Sequence, residues 1–148
     1  MRSRRRDIKN PNKPKYKGSF EPGVARNLTK RGIAFDYEPH AIVYWKKLPN
    51  SKCNHCGSKE VHERHRYTPD FYLKDYGLYI ETKGKFTSTM RTKMLAVKES
   101  NPELNIKFLF MKDNWITKNH KHRYSDWCEQ NGFDYAFMKV PDEWLRGD

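Results

Sequence analysis

Two short stretches, Pro69-Asp70 and Glu81-Thr82-Lys83, carry the residue types needed for metal-assisted phosphodiester hydrolysis. Two carboxylates make a hard oxygen site that leaves room in the shell of a Mg²⁺ ion for water and a phosphate oxygen. Such an ion lowers the pKa of bound water and offsets charge growing on the phosphate. A lysine beside that water can orient it or stabilise the developing charge. The same residues would also suit a solvated hairpin with a charged outer face, because short motifs recur by accident. The context favours chemistry, since an apolar run precedes or follows each polar group.

The elements that must position these groups are legible nearby. Phe71-Tyr72-Leu73 and Leu78-Tyr79-Ile80 flank a turn at Asp75 to Gly77, which predicts a β-hairpin. Side chains alternate along a strand, so Glu81 and Lys83 should share one face and Ile80 and Thr82 the other. Asp70, at the start of the partner strand, should then lie near Glu81.

Upstream, Ser19 to Arg31 reads as a helix capped by Ser19 and stopped by Gly32, with Phe20, Val24 and Leu28 on one stripe. Glu21 in its first turn suits the helix dipole. Strands are expected at 33–37 and 42–45, a helix at 88–100, a strand at 106–111, a helix at 124–131 capped by Ser125, and a strand at 134–138. Pro141 to Leu145 reads as a terminal helical turn. The expected architecture is α/β or α+β, with a mixed central sheet flanked by helices. Residues 19–148 form one domain, with an insertion at 46–66.

Within that insertion Cys53 and Cys56 are followed by His62 and His65, a ligand set suited to structural Zn²⁺ although the spacing is tighter than in common fingers. Reduced thiols in a Gly-Ser loop are the plainer alternative. Residues 1–18 form a basic arm: Arg2, Arg4, Arg5, Arg6, Lys9, Lys13, Lys15 and Lys17 face a single acid, Asp7. With Pro11 and Pro14 and few aliphatic residues, the arm cannot build a core, and it is expected to lie flexibly along phosphates. The polar segment 113–123, with Trp115, Lys118, Lys121 and Arg123, offers a second DNA contact.

The net charge of +12 favours a polyanionic partner, nucleic acid first. No long apolar run, basic amphipathic helix or signal peptide points to a membrane. Three cysteines, two of them in one C-x-x-C, fit a reducing compartment rather than a disulfide framework.

Pro69-Asp70 with Glu81-Thr82-Lys83 resembles the PD-(D/E)xK nuclease signature. The stretches 18–32, 67–71, 80–84, 101–106 and 124–145 resemble, in the same order, the phage endonuclease I family, the Holliday-junction resolvases of T-odd phages. The resemblance implies a restriction-endonuclease-like fold and a domain-swapped, intertwined homodimer. It implies Mg²⁺- or Mn²⁺-dependent resolution of four-way and other branched DNA junctions in the cytoplasm of an infected bacterium. It places metal on Asp70 and Glu81, adds Glu21 as a third carboxylate, acting in cis or in trans, and adds the Thr82 carbonyl as a further ligand. Lys83 would act on the attacking water. The 46–66 segment departs from the family pattern. Two other readings are a nuclease of the same motif class acting on duplex or damaged DNA, and a zinc-containing DNA-binding module without activity.

Overall fold

The apolar runs around residues 75–77 do fold into the predicted hairpin, and the remaining elements pack on its two faces. The computed structural model describes residues 16, 20–49 and 52–146. The basic residues of the expected arm and the Ser19 cap therefore lie outside the described residues, whereas Tyr16 packs against the core beside α1. In chain order the elements are α1 (Phe20–Lys30), β1 (Asp36–Tyr37), β2 (Ile42–Lys47), β3 (His62–Tyr67), β4 (Phe71–Leu73) and β5 (Leu78–Lys83). They continue with α2 (Ser88–Ser100), β6 (Ile106–Phe110), α3 (Tyr124–Asn131) and β7 (Asp134–Phe137). Single 3₁₀ turns follow β4 and β7, at Lys74–Tyr76 and Asp142–Leu145.

Five strands form a mixed sheet in the order β1-β4-β5-β6-β7. The first three pair antiparallel, and β5, β6 and β7 run parallel. The tight β4-β5 connection closes at Gly77, whose φ of +57° is open to a residue without a Cβ. β5 lies at the centre and is buried on both faces, as its near-continuous apolar run requires. Leu78 and Ile80 face α1, against Val24, Ala25 and Leu28. Tyr79 joins the opposite core with Met94 and Val97 of α2, Phe108 and Phe110 of β6, and Cys128 of α3. The mixed sheet with helices against it agrees with the expected fold class.

The structure departs from the sequence reading at four places. β1 is only two residues long, because Ile33 and Phe35 pack as irregular chain beneath the sheet edge. The 46–66 insertion is not a loop throughout: β2 and β3 pair over six residues into a separate antiparallel ribbon. Ser125 is not the cap of α3; Arg123 holds that position, and its backbone N–H donates to Asp126 Oδ2. Ser125 instead donates through its N–H and Oγ to Asp113. The 113–123 segment is ordered by a bridge between Trp115 and Arg123, with the Arg123 guanidinium 4.1 Å above the indole ring. Among the described residues, no helix is long and apolar enough to cross a membrane.

Candidate active site

Register brings the sequence-separated acids together. Phe71 pairs with Ile80, so Asp70, one residue before, comes level with Glu81 on the neighbouring strand. Asp70 is fixed on two sides. Its backbone carbonyl accepts the N–H of Glu38 at 2.8 Å, and Glu38 takes a left-handed backbone (φ +47°) to make that bond. Its Oδ2 accepts both the N–H and the Oγ1 hydroxyl of Thr82, each at 2.8 Å. Burial pushes the Asp70 carboxyl above its usual range and the Glu21 charge adds to this, while the Thr82 bonds and Lys83 oppose it.

Glu81 is 2% exposed, which for a charged side chain requires partners. It has two: the Tyr67 hydroxyl donates to Oε2 at 2.5 Å, and Lys83 Nζ lies 3.0 Å from Oε1. Glu81 and Lys83 therefore share a face, as strand alternation predicts. Burial first, and then the Asp70 charge, push the Glu81 carboxyl up to about 7 against the opposing pull of Lys83 and Tyr67.

This raised value fixes a pH dependence for the metal-free chain. A carboxyl that titrates near 7 when folded, against 4.5 as its ordinary value, holds a proton in the native state that the unfolded chain has released across that interval. Its contribution to stability is therefore full below that interval and is lost as pH rises through about 7. In EDTA, the melting temperature should fall between pH 5.5 and pH 8, and fall less in Glu81→Gln. Equal slopes for the two proteins in a thermal-unfolding series would contradict this.

Glu21 projects from the first turn of α1, and its Oε2 accepts the Tyr37 hydroxyl at 2.5 Å. Its charge acts on Asp70 of the same chain. Asp70 is thus coupled by charge to Glu21, Glu81 and Lys83, and Lys83 is the cation that opposes the rise of both the Asp70 and Glu81 carboxyls. Among the described residues, no three His, Cys, Asp or Glu side chains are placed to hold a metal ion together, so as the side chains stand a metal here would rest on two carboxylates at most. Two neighbouring carboxylates are a donor set of the kind Mg²⁺ uses, since that ion keeps several waters and binds through one or two carboxylates.

Two residues that sequence reasoning did not single out hold the carboxylates in place: Tyr67 on Glu81 and Tyr37 on Glu21. Tyr67 is 1% exposed, and burial together with the Glu81 charge raises its phenol well above the usual range, so it remains a donor. Lys93 Nζ sits 5.1 Å from the centre of its ring, bringing α2 to the same point. No spacing signal marks either tyrosine: Tyr67 closes a strand whose charged run does not read as one, and its hydroxyl meets Glu81 only across the packed sheet. Because Tyr67 orients Glu81, Tyr67→Phe should slow single-turnover cleavage roughly 10- to 100-fold while leaving DNA affinity near wild type. An unchanged rate would show that the hydroxyl does not position Glu81.

The expected zinc ligands are not brought together. Cys53 and Cys56 share one turn, closed by the Gly57 N–H on the Cys53 carbonyl and the Cys53 N–H on the Ser58 carbonyl. His62 and His65, three apart on β3, point to opposite faces of the ribbon. His65 stacks on Tyr44 at 5.4 Å, and its Nε2 lies 2.8 Å from Glu63 Oε1 without hydrogen-bond alignment. The four side chains as placed do not fit one tetrahedral ion. Cys128 is buried, and burial raises its thiol to about 12, which makes it a core residue.

Comparison with known proteins matches this arrangement to one family. The family model described as phage endonuclease I matches residues 4–148. Endonuclease I of Escherichia phage T7 is 32% identical over 132 residues, covering 88% of this chain and 78% of the relative. Endodeoxyribonuclease 1 of Enterobacteria phage T3 is 35% identical over 127 residues, covering 85% and 74%. The chain belongs to the phage endonuclease I family and is a nuclease acting on DNA.

Proposed function

We propose that this nuclease is a Mg²⁺-dependent endodeoxyribonuclease, active also with Mn²⁺, that resolves four-way and other branched junctions by paired phosphodiester cleavage. The observation that carries the proposal is the juxtaposition of Asp70, Glu81 and Lys83 at the end of the β4-β5 hairpin. Asp70 and Glu81 would hold the ion, with the Thr82 carbonyl and Glu21 as further oxygen donors. When bound, the ion supplies a water of lowered pKa and offsets charge on the phosphate.

The protein's own groups do the positioning. Thr82 fixes Asp70 through two donors, and Tyr67 fixes Glu81 through one, so neither carboxylate must reorganise when substrate arrives. Lys83, only partly exposed, has its ammonium tethered to Glu81 at the site's edge. From there it can hydrogen-bond an attacking water or a non-bridging phosphate oxygen. The net charge of the chain draws the phosphate backbone in.

A homodimer supplies two such sites, and two symmetric cuts across a four-armed junction release two duplexes. In an intertwined dimer the Glu21–Asp70 proximity seen within one chain would be made between protomers, so exchange preserves the carboxylate set.

The test is to compare a labelled four-way junction with a linear duplex of the same sequence, in Mg²⁺. Paired cuts near the branch, with the duplex left intact, are expected. Equal cutting of the two substrates would discard junction selectivity and leave a general DNA nuclease.

A further inference from the structure

The β2-β3 ribbon carries a face that the catalytic centre does not use. Register sorts its side chains. Ile42 with Tyr67 and Tyr44 with His65 point inward, and Ile42, Tyr44 and Tyr67 join the core beneath α2. Val43 with Arg66, Trp45 with Arg64, and Lys47 with His62 point outward. On this outer face Trp45 is 50% exposed, and Lys47, His62, Arg64 and Arg66 are exposed around it. No acidic residue lies among these six positions. Among the described residues, neither Arg64 nor Arg66 is engaged in an ion pair, whereas Lys47 pairs with Glu60.

Half of the Trp45 surface thus stands in water beside two arginines. It is held rigidly all the same. Asn101 Nδ2 donates to the Val43 carbonyl and the Trp45 N–H donates to Ser100 Oγ, which fastens the β2 edge to the end of α2. The ribbon also leads to the chemistry: β3 ends at Tyr67, the residue that bonds Glu81, and Asp70 follows three positions later.

We propose that the outward face of this ribbon, centred on Trp45, Arg64 and Arg66, is a DNA-binding surface that grips a substrate arm next to the cleavage site. The inference rests on the nuclease reading and adds a contact to it. Charge complementarity selects the occupant, since guanidinium groups match phosphate oxygens bidentately. Dimensions agree: a six-residue ribbon is about 20 Å long, and a two-stranded ribbon fits the major groove of duplex DNA. The indole offers a flat apolar surface for sugar or an unstacked base, the arrangement that aromatic side chains use with nucleic acids.

The experiment measures junction affinity of the full-length protein in EDTA, where the strands remain uncut, across a series of salt concentrations. Arg64→Gln with Arg66→Gln should reduce the slope of log affinity against log salt by about 2, since each neutralised phosphate contributes roughly 0.9. Trp45→Ala should weaken binding roughly 5- to 100-fold with the slope unchanged. Lys74→Gln, an exposed charge on the 3₁₀ turn after β4, should keep the wild-type slope. Thermal melting of each variant confirms that it is folded.

Wild-type slope in the double arginine variant, with wild-type affinity in Trp45→Ala, would overturn the ribbon while the nuclease reading stood. An equal slope loss in Lys74→Gln would also overturn it, because net charge alone would then be responsible. If Trp45→Ala dissociated a dimer in sedimentation while each protomer kept its DNA affinity, the face would be a contact between copies. Failure of the wild type to bind or cut DNA would remove the nuclease reading itself.

Discussion

Asp70→Asn is expected to lower junction cleavage on the order of 10³-fold or more, equivalent to about 4 kcal/mol of transition-state stabilisation, with junction affinity near wild type. Asparagine keeps the shape and can still accept from Thr82 N–H and Oγ1, so the hairpin should fold as before. What it loses is the negative charge. Asp70 is half-buried and crowded by Glu21, and Thr82 and Lys83 favour its charge against the cost of desolvation. A structural acid in that setting would be replaced by its amide at no loss, or with a gain in stability. Single-turnover rates and a binding titration on the same junction check both halves. A variant that still cuts at a comparable rate in Mg²⁺ would take Asp70 out of the chemistry. One that loses affinity and rate together would make Asp70 a folding residue.

Phe108→Ala is expected to cost about 3–5 kcal/mol of stability, out of roughly 5–15 kcal/mol for a domain of this kind. Phe108 is fully buried on β6, with ring centroids 5.0 Å from Phe86, 5.0 Å from Phe133 and 5.7 Å from Phe110. Three aromatic neighbours, one on the same strand and two in the connections before α2 and after α3, cannot all close on the void, so the cavity term should persist. Phe108 is also the register partner of Glu81. The variant should therefore lose cleavage at temperatures well below its own unfolding midpoint, as the strand beside the carboxylate loosens. Denaturant unfolding followed by far-ultraviolet circular dichroism gives the first quantity. A loss under about 1 kcal/mol would show that the aromatic cluster repacks freely.

The parts of the fold that were legible in the sequence are those where local pattern and tertiary environment agree. The β4-β5 hairpin is one: apolar runs meet a turn that needs Gly77, and the pairing that follows places Asp70 beside Glu81. α2 is another, with Met94 and Val97 on its buried side and Asn101 at its end. β3 was not legible, because His62 to Arg66 is a run of charged and imidazole side chains. Its inward residues are supported by Tyr44 and by the core under α2, and its outward residues stay in water, so no apolar alternation marks it as a strand.

The candidate site divides in the same way. Asp70, Glu81 and Lys83 could be read from motif and strand alternation. Their fasteners could not, since a tyrosine hydroxyl reaching a carboxylate across the sheet leaves no spacing signal; Tyr67 and Tyr37 emerge only from packing. The cysteine–histidine grouping shows the reverse failure. Ligand types were close in sequence, yet pairing β3 with β2 sends His62 and His65 to opposite faces.

The most direct test is single-turnover cleavage of one labelled four-way junction by the wild-type protein, with Mg²⁺ and then with EDTA in its place. Cutting in Mg²⁺ and its complete loss in EDTA, restored by added Mn²⁺, is the expected result. Cutting that persists in EDTA, or none in either metal, would contradict a metal-dependent site built on Asp70 and Glu81.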